Sequence, residues 1–178
     1  MERIEQENKE RGEGDLNEKI RYEEVRKTIS RLRNGKAAGV DGIVNEIIKY
    51  GGEQVHVVIW QLVSTCFETE KIPKDWMDGI VFPIYKEGDG RDPNNYRGIS
   101  LLCILGKIYT AVLHVRLSRW CEVNGVIAEE QGGFRPGRGC VDQLYVLINI
   151  LRNRVGSKTY CCFIDLKKAY DRVWRGGL

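Results

Sequence analysis

GIVFPIYKEGDGRDPNNYRGISLL, residues 79–102, holds two runs of β-branched and aromatic residues around a centre of Gly, Asp, Pro and Asn. The outer runs suit a pleated, half-buried surface, and the central residues suit tight turns. The stretch reads as a β-hairpin in which residues 80–86 pair antiparallel with residues 96–102. That pairing places Lys86 and Arg97 on one open face.

Helical patterns surround this hairpin. Upstream, Val25, Ile29 and Leu32 recur at i, i+4 and i+7 in a helix starting near Tyr22, with Asn34-Gly35 as its stop. The glycine-punctuated loop GKAAGVDG (35–42) follows, then a short helix over residues 46–50 ending at Gly51-Gly52. A longer helix carries Val55, Ile59, Leu62, Val63, Cys66 and Phe67 as a core stripe, and Pro73 breaks the pattern. Downstream, Ile104, Ile108, Val112 and Val115 predict another helix, ended by Gly125. QGGFRPGRG (131–139) is a loop, and a helix from 141 to about 154 presents Leu144, Leu147, Ile148 and Leu151 on one face before Gly156. TYCCFID (159–165) reads as a short apolar strand ending at Asp165, with Cys161 and Cys162 on opposite faces. The class is α+β.

The chain has 178 residues, 42% hydrophobic and 30% charged, which suits a folded domain and not a disordered one. No apolar run approaches the ~20 residues needed to span a bilayer, and the charged start is unlike a secretory signal. With no zinc-ligand spacing among its six cysteines, the chain reads as intracellular, in cytoplasm or nucleus, with reduced thiols. Net charge is +3, unevenly spread. The first nineteen residues hold seven acids and four bases and read as a flexible charged lead-in. Residues 131–178 hold nine bases and three acids, a field that suits a polyanion such as nucleic acid or, equally, an ordinary solvated surface.

A strand-end aspartate such as Asp165 is a natural metal ligand, since the strand fixes its carboxylate and the turn opens it to solvent. Alone it is a weak signal and reads more often as a strand-end turn residue. The longer stretch FIDLKKAYDRV (163–173) resembles the first catalytic motif of reverse transcriptases, with the lysine-alanine-aromatic-aspartate ending of the non-LTR (LINE-type) retrotransposon branch. GKAAGVDGI (35–43), GIVFPIYKEGD with NYRGISLL, and QGGFRPGRGCVDQ (131–143) are similar to other blocks of that branch, in the same order. The resemblance covers residues 22–178.

It implies the fingers and the start of the palm of a right-hand polymerase over residues 20–178, with an incomplete palm sheet. The partners implied are an RNA template, a DNA primer and deoxynucleoside triphosphates, with no membrane. Two Mg²⁺ ions are implied in the complete enzyme, with the Asp165 carboxylate and the Leu166 carbonyl as ligands. Lys86 and Arg97 match residues that hold the triphosphate. Tyr170 matches the ring that packs under the incoming sugar and refuses a 2′-hydroxyl. Arg135 and Arg138 lie in the block associated with the template strand, while Asp142, Gln143 and Asp171 are given structural roles. On the residues alone, Tyr170 could be core, Lys86 could lie over the sheet, and Arg97 could pair with Asp89 or Asp92. The family's second catalytic motif, Tyr-x-Asp-Asp, is absent from these residues, as are the remaining palm and the thumb. The expectation is therefore a truncated fragment, inactive on its own. The alternative is a non-catalytic remnant that only binds nucleic acid.

Overall fold

The computed structural model describes residues 16–166 and 169–177. The chain forms two compact units, residues 1–127 and 128–178. In the first, α1 (Tyr22–Ser30), α2 (Asn45–Lys49) and α3 (Glu53–Thr69) precede a single 3₁₀ turn, Lys74–Trp76. Then come β1 (Gly79–Tyr85), a 3₁₀ turn at Pro93–Asn95, β2 (Tyr96–Leu102) and α4 (Ile104–Val123). The second holds α5 (Cys140–Arg152) and two short turns, Tyr170–Arg172 and Arg175–Gly177.

The core of the first unit is helical. Val25 and Ile29 of α1, Ile48 of α2, Ile59, Val63 and Cys66 of α3, and Ile104, Ile108, Tyr109 and Val112 of α4 are all buried. Each such side chain contributes about 1.5–3 kcal/mol by leaving water. The helix spacing read from the sequence names most of this set; Ile48 and Tyr109 are additions, Leu32, Val55, Leu62 and Phe67 are only partly buried, and α4 needs a correction. In α4 the buried row runs 104, 108, 112, 116, so Arg116 is buried and Val115 is half exposed. A four-residue step keeps a side chain on one stripe of the helix, and the charge at 116 hid that stripe.

Arg116 is tolerated inside because all its N–H groups find acceptors. Nε and Nη2 donate to the two Glu24 carboxylate oxygens at 2.8 and 2.7 Å. Nη1 donates to the carbonyls of Leu16 and Glu18, and Nη2 also to that of Lys19. The guanidinium also lies 5.4 Å from the centre of the Phe67 ring. Residues 16–19, the end of the expected flexible lead-in, are thus held by Arg116, and Lys19 pairs with Glu68 at 3.3 Å. Residues 1–15 of that lead-in lie outside the described residues.

The hairpin forms as expected, with Gly79 opposite Leu102 and Tyr85 opposite Tyr96. The amide of Lys86 donates to the Asn95 carbonyl at 2.8 Å, making 86:95 a hydrogen-bonded pair. Alternation then makes Pro83 opposite Gly98 a non-bonded pair, where a residue lacking an N–H loses no ladder bond. At the base of the hairpin a Cβ on Gly39 would lie 2.5 Å from the Leu102 carbonyl carbon and oxygen, so only glycine fits there. Asp41 of the same loop lies beside the Cys103 thiol, which burial first and that carboxylate second raise above its ordinary value.

The expected strand at 159–165 is not formed. Residues 159–166 have no regular secondary structure, and among the described residues the hairpin is the one sheet. A strand exists only through ladder bonds to a neighbour, and among the described residues none pairs with this stretch. No described residue of 128–177 is buried, and Phe163, Ile164 and Leu166 stand exposed. No helix among the described residues is long and apolar enough to cross a membrane.

Candidate nucleotide and nucleic-acid site

Two groups of expected site residues belong to two units, and each is built differently. On the hairpin, Arg97 faces Ile84 across the ladder, and Ile84 and Lys86 share a face because they are two residues apart. Lys86 and Arg97 therefore point from the same side of the sheet. The turn-rich loop between them is fixed from within. Asp89 accepts from the Arg91 amide and Asp92 from the Asn94 amide, both at 2.9 Å, and Asn95 Nδ2 donates to the Asp89 carbonyl. The hydroxyls of Tyr85 and Tyr96 donate to the carbonyls of Gly88 and Gly90, with the two rings edge-on at 5.6 Å. Asp89 and Asp92 are thus occupied by the loop backbone, and neither forms an ion pair with Arg97 among the described residues.

Lys86 has a counter-ion that the sequence reading missed. Its Nζ lies 2.9 Å from Glu87 Oε1. The Glu87 carboxyl is held below the usual range, first by its hydrogen bond and charge contact with Lys86 and then by Arg97. The adjacent acid is itself the signal in the sequence. Lys86 and Arg97 are both exposed, so a ligand reaching this face would compete with Glu87 for them.

In the second unit Glu129 organises the arginines. Arg138 pairs with one Glu129 oxygen, and Arg135 lies 3.5 Å from the other while donating to the Ala128 carbonyl at 3.0 Å. Glu129 is held below the usual carboxyl range by Arg138 first and Arg135 second. The Arg135 side chain is 8% exposed and braces the loop, whereas that of Arg138 is 39% exposed and open to a ligand. Asp142 accepts from the Gly139 amide at 2.7 Å and caps α5, and the Gln143 side chain packs over Gly132. Both do structural work.

Asp165 and Leu166 lie in the exposed irregular stretch, and Tyr170 opens a 3₁₀ turn and is 74% exposed, so it is not core here. The side chain of Asp171 lies outside the described residues. Among the described residues no three His, Cys, Asp or Glu side chains converge on a point that could hold a metal ion. Asp165 is one carboxylate of the two-ion centre that the resemblance implies for the complete enzyme, and magnesium sheds its waters only for several well-placed oxygens.

A family model for "Reverse transcriptase (RNA-dependent DNA polymerase)" matches residues 84–178. The chain is 35% identical over 158 residues to the probable RNA-directed DNA polymerase from transposon X-element of Drosophila melanogaster, covering 87% of this chain and 17% of the relative. It is 32% identical over 162 residues to the RNA-directed DNA polymerase from mobile element jockey of the same species, covering 89% and 18%. Identity is 30% over 162 residues, covering 87% and 15%, to the putative 115 kDa protein of the type-1 retrotransposable element R1DM. The chain thus spans about one-sixth of the length of these relatives. With the match running from the hairpin to the last residues, the chain belongs to the reverse transcriptase family, among its LINE-type retrotransposon members.

Proposed function

We propose that the chain serves as the fingers and first palm segment of an RNA-directed DNA polymerase that copies retrotransposon RNA into DNA. The observation that carries this reading is the hairpin, where Lys86 and Arg97 share one exposed face within the stretch matched to the family. Two cations on such a face suit the triphosphate of an incoming deoxynucleotide, whose negative charge they offset as it binds. Tyr170 excludes a ribonucleotide by clash with its 2′-hydroxyl. Asp165 is the carboxylate whose loss abolishes chemistry, with the Leu166 carbonyl beside it. Arg138 contacts the template backbone, and Arg135 holds the loop that presents it. Reverse transcriptases use divalent metal ions, and magnesium is the ion proposed here. The partners are an RNA template, a DNA primer and deoxynucleoside triphosphates.

A chimera tests this reading. The chain replaces the aligned stretch of the jockey polymerase, and primer extension on an RNA template is measured. The chimera is expected to extend, Asp165→Asn to abolish extension, and Tyr170→Val to lower the ratio of kcat/KM for deoxy- over ribonucleotides. Undiminished extension by Asp165→Asn would overturn the reading. The 178 residues alone, which contain no adjacent pair of aspartates, are expected not to extend a primer. Nucleic-acid binding by that isolated chain, without extension, would favour the second reading of a non-catalytic binder only if the chimera were also inactive.

A further inference from the structure

A cleft of about 260 Å³ opens between α1 and α4 in the first unit, away from the hairpin loop. Lys27 and Arg31 line one wall and Arg119 the other. The two acids at the cleft are already engaged: Glu18 pairs with Arg21 at 2.5 Å, and Glu24 pairs with buried Arg116. They do not neutralise Lys27 or Arg31, neither of which forms an ion pair among the described residues. Like charges at i and i+4 on a helix cost a few tenths of a kcal/mol. The negative end of α1 offsets that for Lys27 and Arg31. Lys27, in the last turn of α1, and Arg31, its C-cap, are spaced by about 6 Å along the helix axis. Set one turn apart, they form a row along one wall, which suits a chain of phosphates better than a single ion.

We propose that this cleft is a phosphodiester groove in which Lys27, Arg31 and Arg119 grip the backbone of a single-stranded nucleic acid. The inference rests on the reading that the chain handles nucleic acid, and it adds a contact that regional charge totals conceal. Arg116 shapes the floor: its N–H groups are all taken within the protein, so it holds the walls in place and leaves binding to the outer cations.

The test is binding of a labelled single-stranded RNA to the full chain between about 50 and 200 mM salt. The double variant Lys27→Ala/Arg31→Ala is expected to bind more weakly and to lose about 1.4 from the slope of log K against log salt, at ~0.7 per phosphate contact. Arg119→Gln, on the opposite wall, should weaken binding independently of any change to α1, and Lys27→Arg/Arg31→Lys should restore the slope. Arg138→Ala separates this groove from the other proposed contact. Binding weakened by Arg138→Ala but untouched by all the cleft variants would overturn the groove and leave the proposed function standing. No RNA binding by the wild-type chain would overturn the groove, while primer extension by the chimera decides the proposed function separately. Thermal stabilisation by inorganic phosphate alone that the cleft variants abolish, with RNA binding unchanged, would make the cleft a free-phosphate site and also overturn the inference.

Discussion

Helices α4 and α5 both carry apolar stripes and meet different fates. In α4, Ile104, Ile108 and Val112 are almost wholly enclosed by α1 and α3. In α5, Leu144, Ile148 and Leu151 stay exposed, and no residue of the helix is buried. Periodicity specifies which face of a helix is apolar; whether that face is buried depends on a second element reaching it. The first unit supplies that element locally, because α1 and α3 lie within the same 112 described residues as α4. The same contrast separates the two sets of expected site residues. The hairpin cations stand on a closed ladder anchored at Gly39, while Asp165 lies on backbone without a ladder partner.

The largest expected effect tests the helix contrast directly. Ile108→Ala should destabilise the chain by about 2–5 kcal/mol in urea unfolding, as cavity-forming core truncations do. Ile148→Ala in α5 should stay within about 1 kcal/mol. Equal losses would mean that α5 is packed in solution and that the contrast is wrong.

Arg116→Met is next. Breaking a buried pair costs about 3–5 kcal/mol, and the exposed part of Glu24 brings the expectation to about 2–4 kcal/mol. The hydrogen bond from Arg116 is the first cause holding the Glu24 carboxyl below its ordinary value of 4.5. A depressed folded-state value means that this stabilisation is complete above the ordinary value and lost as pH falls through the folded one. The gap between wild type and Arg116→Met should therefore narrow below pH about 4.5. A gap independent of pH would remove Glu24 from the account.

Glu87→Gln sharpens the comparison at the hairpin. Removing the acid that holds Lys86 should raise the affinity of the chain for a deoxynucleoside triphosphate about two- to five-fold, the scale of an exposed ion pair. Glu129→Gln is the matching change in the second unit, where freeing Arg138 should strengthen RNA binding by about twofold at low salt. A decrease in either would mean that the acid orients its cations for the ligand.

The hairpin, the helices and the four family blocks were legible in the sequence because each depends on neighbours within a few residues. Turn chemistry fixes the loop at 86–95, and spacing fixes the buried rows of α1 and α3. What escaped were features set by contacts far apart in sequence. The stripe of α4 reads through Val115 in the sequence and leaves Arg116 unnamed, because the acceptors of Arg116 lie 92 to 100 residues away. The apolar run before Asp165 has strand composition, but composition provides no pairing partner. Glu87 and Glu129 were visible as residues, yet their roles as counter-ions emerge only once the hairpin and the 131–139 loop are folded.

The central claim is that the Lys86 and Arg97 face receives the triphosphate of an incoming nucleotide. Steady-state primer extension by the jockey chimera, read as a KM against kcat split, tests it most directly. Triphosphate contacts made already in the ground state predict that Lys86→Ala and Arg97→Ala each raise the deoxynucleotide KM about tenfold or more with kcat little changed. An unchanged KM in both variants would contradict the claim.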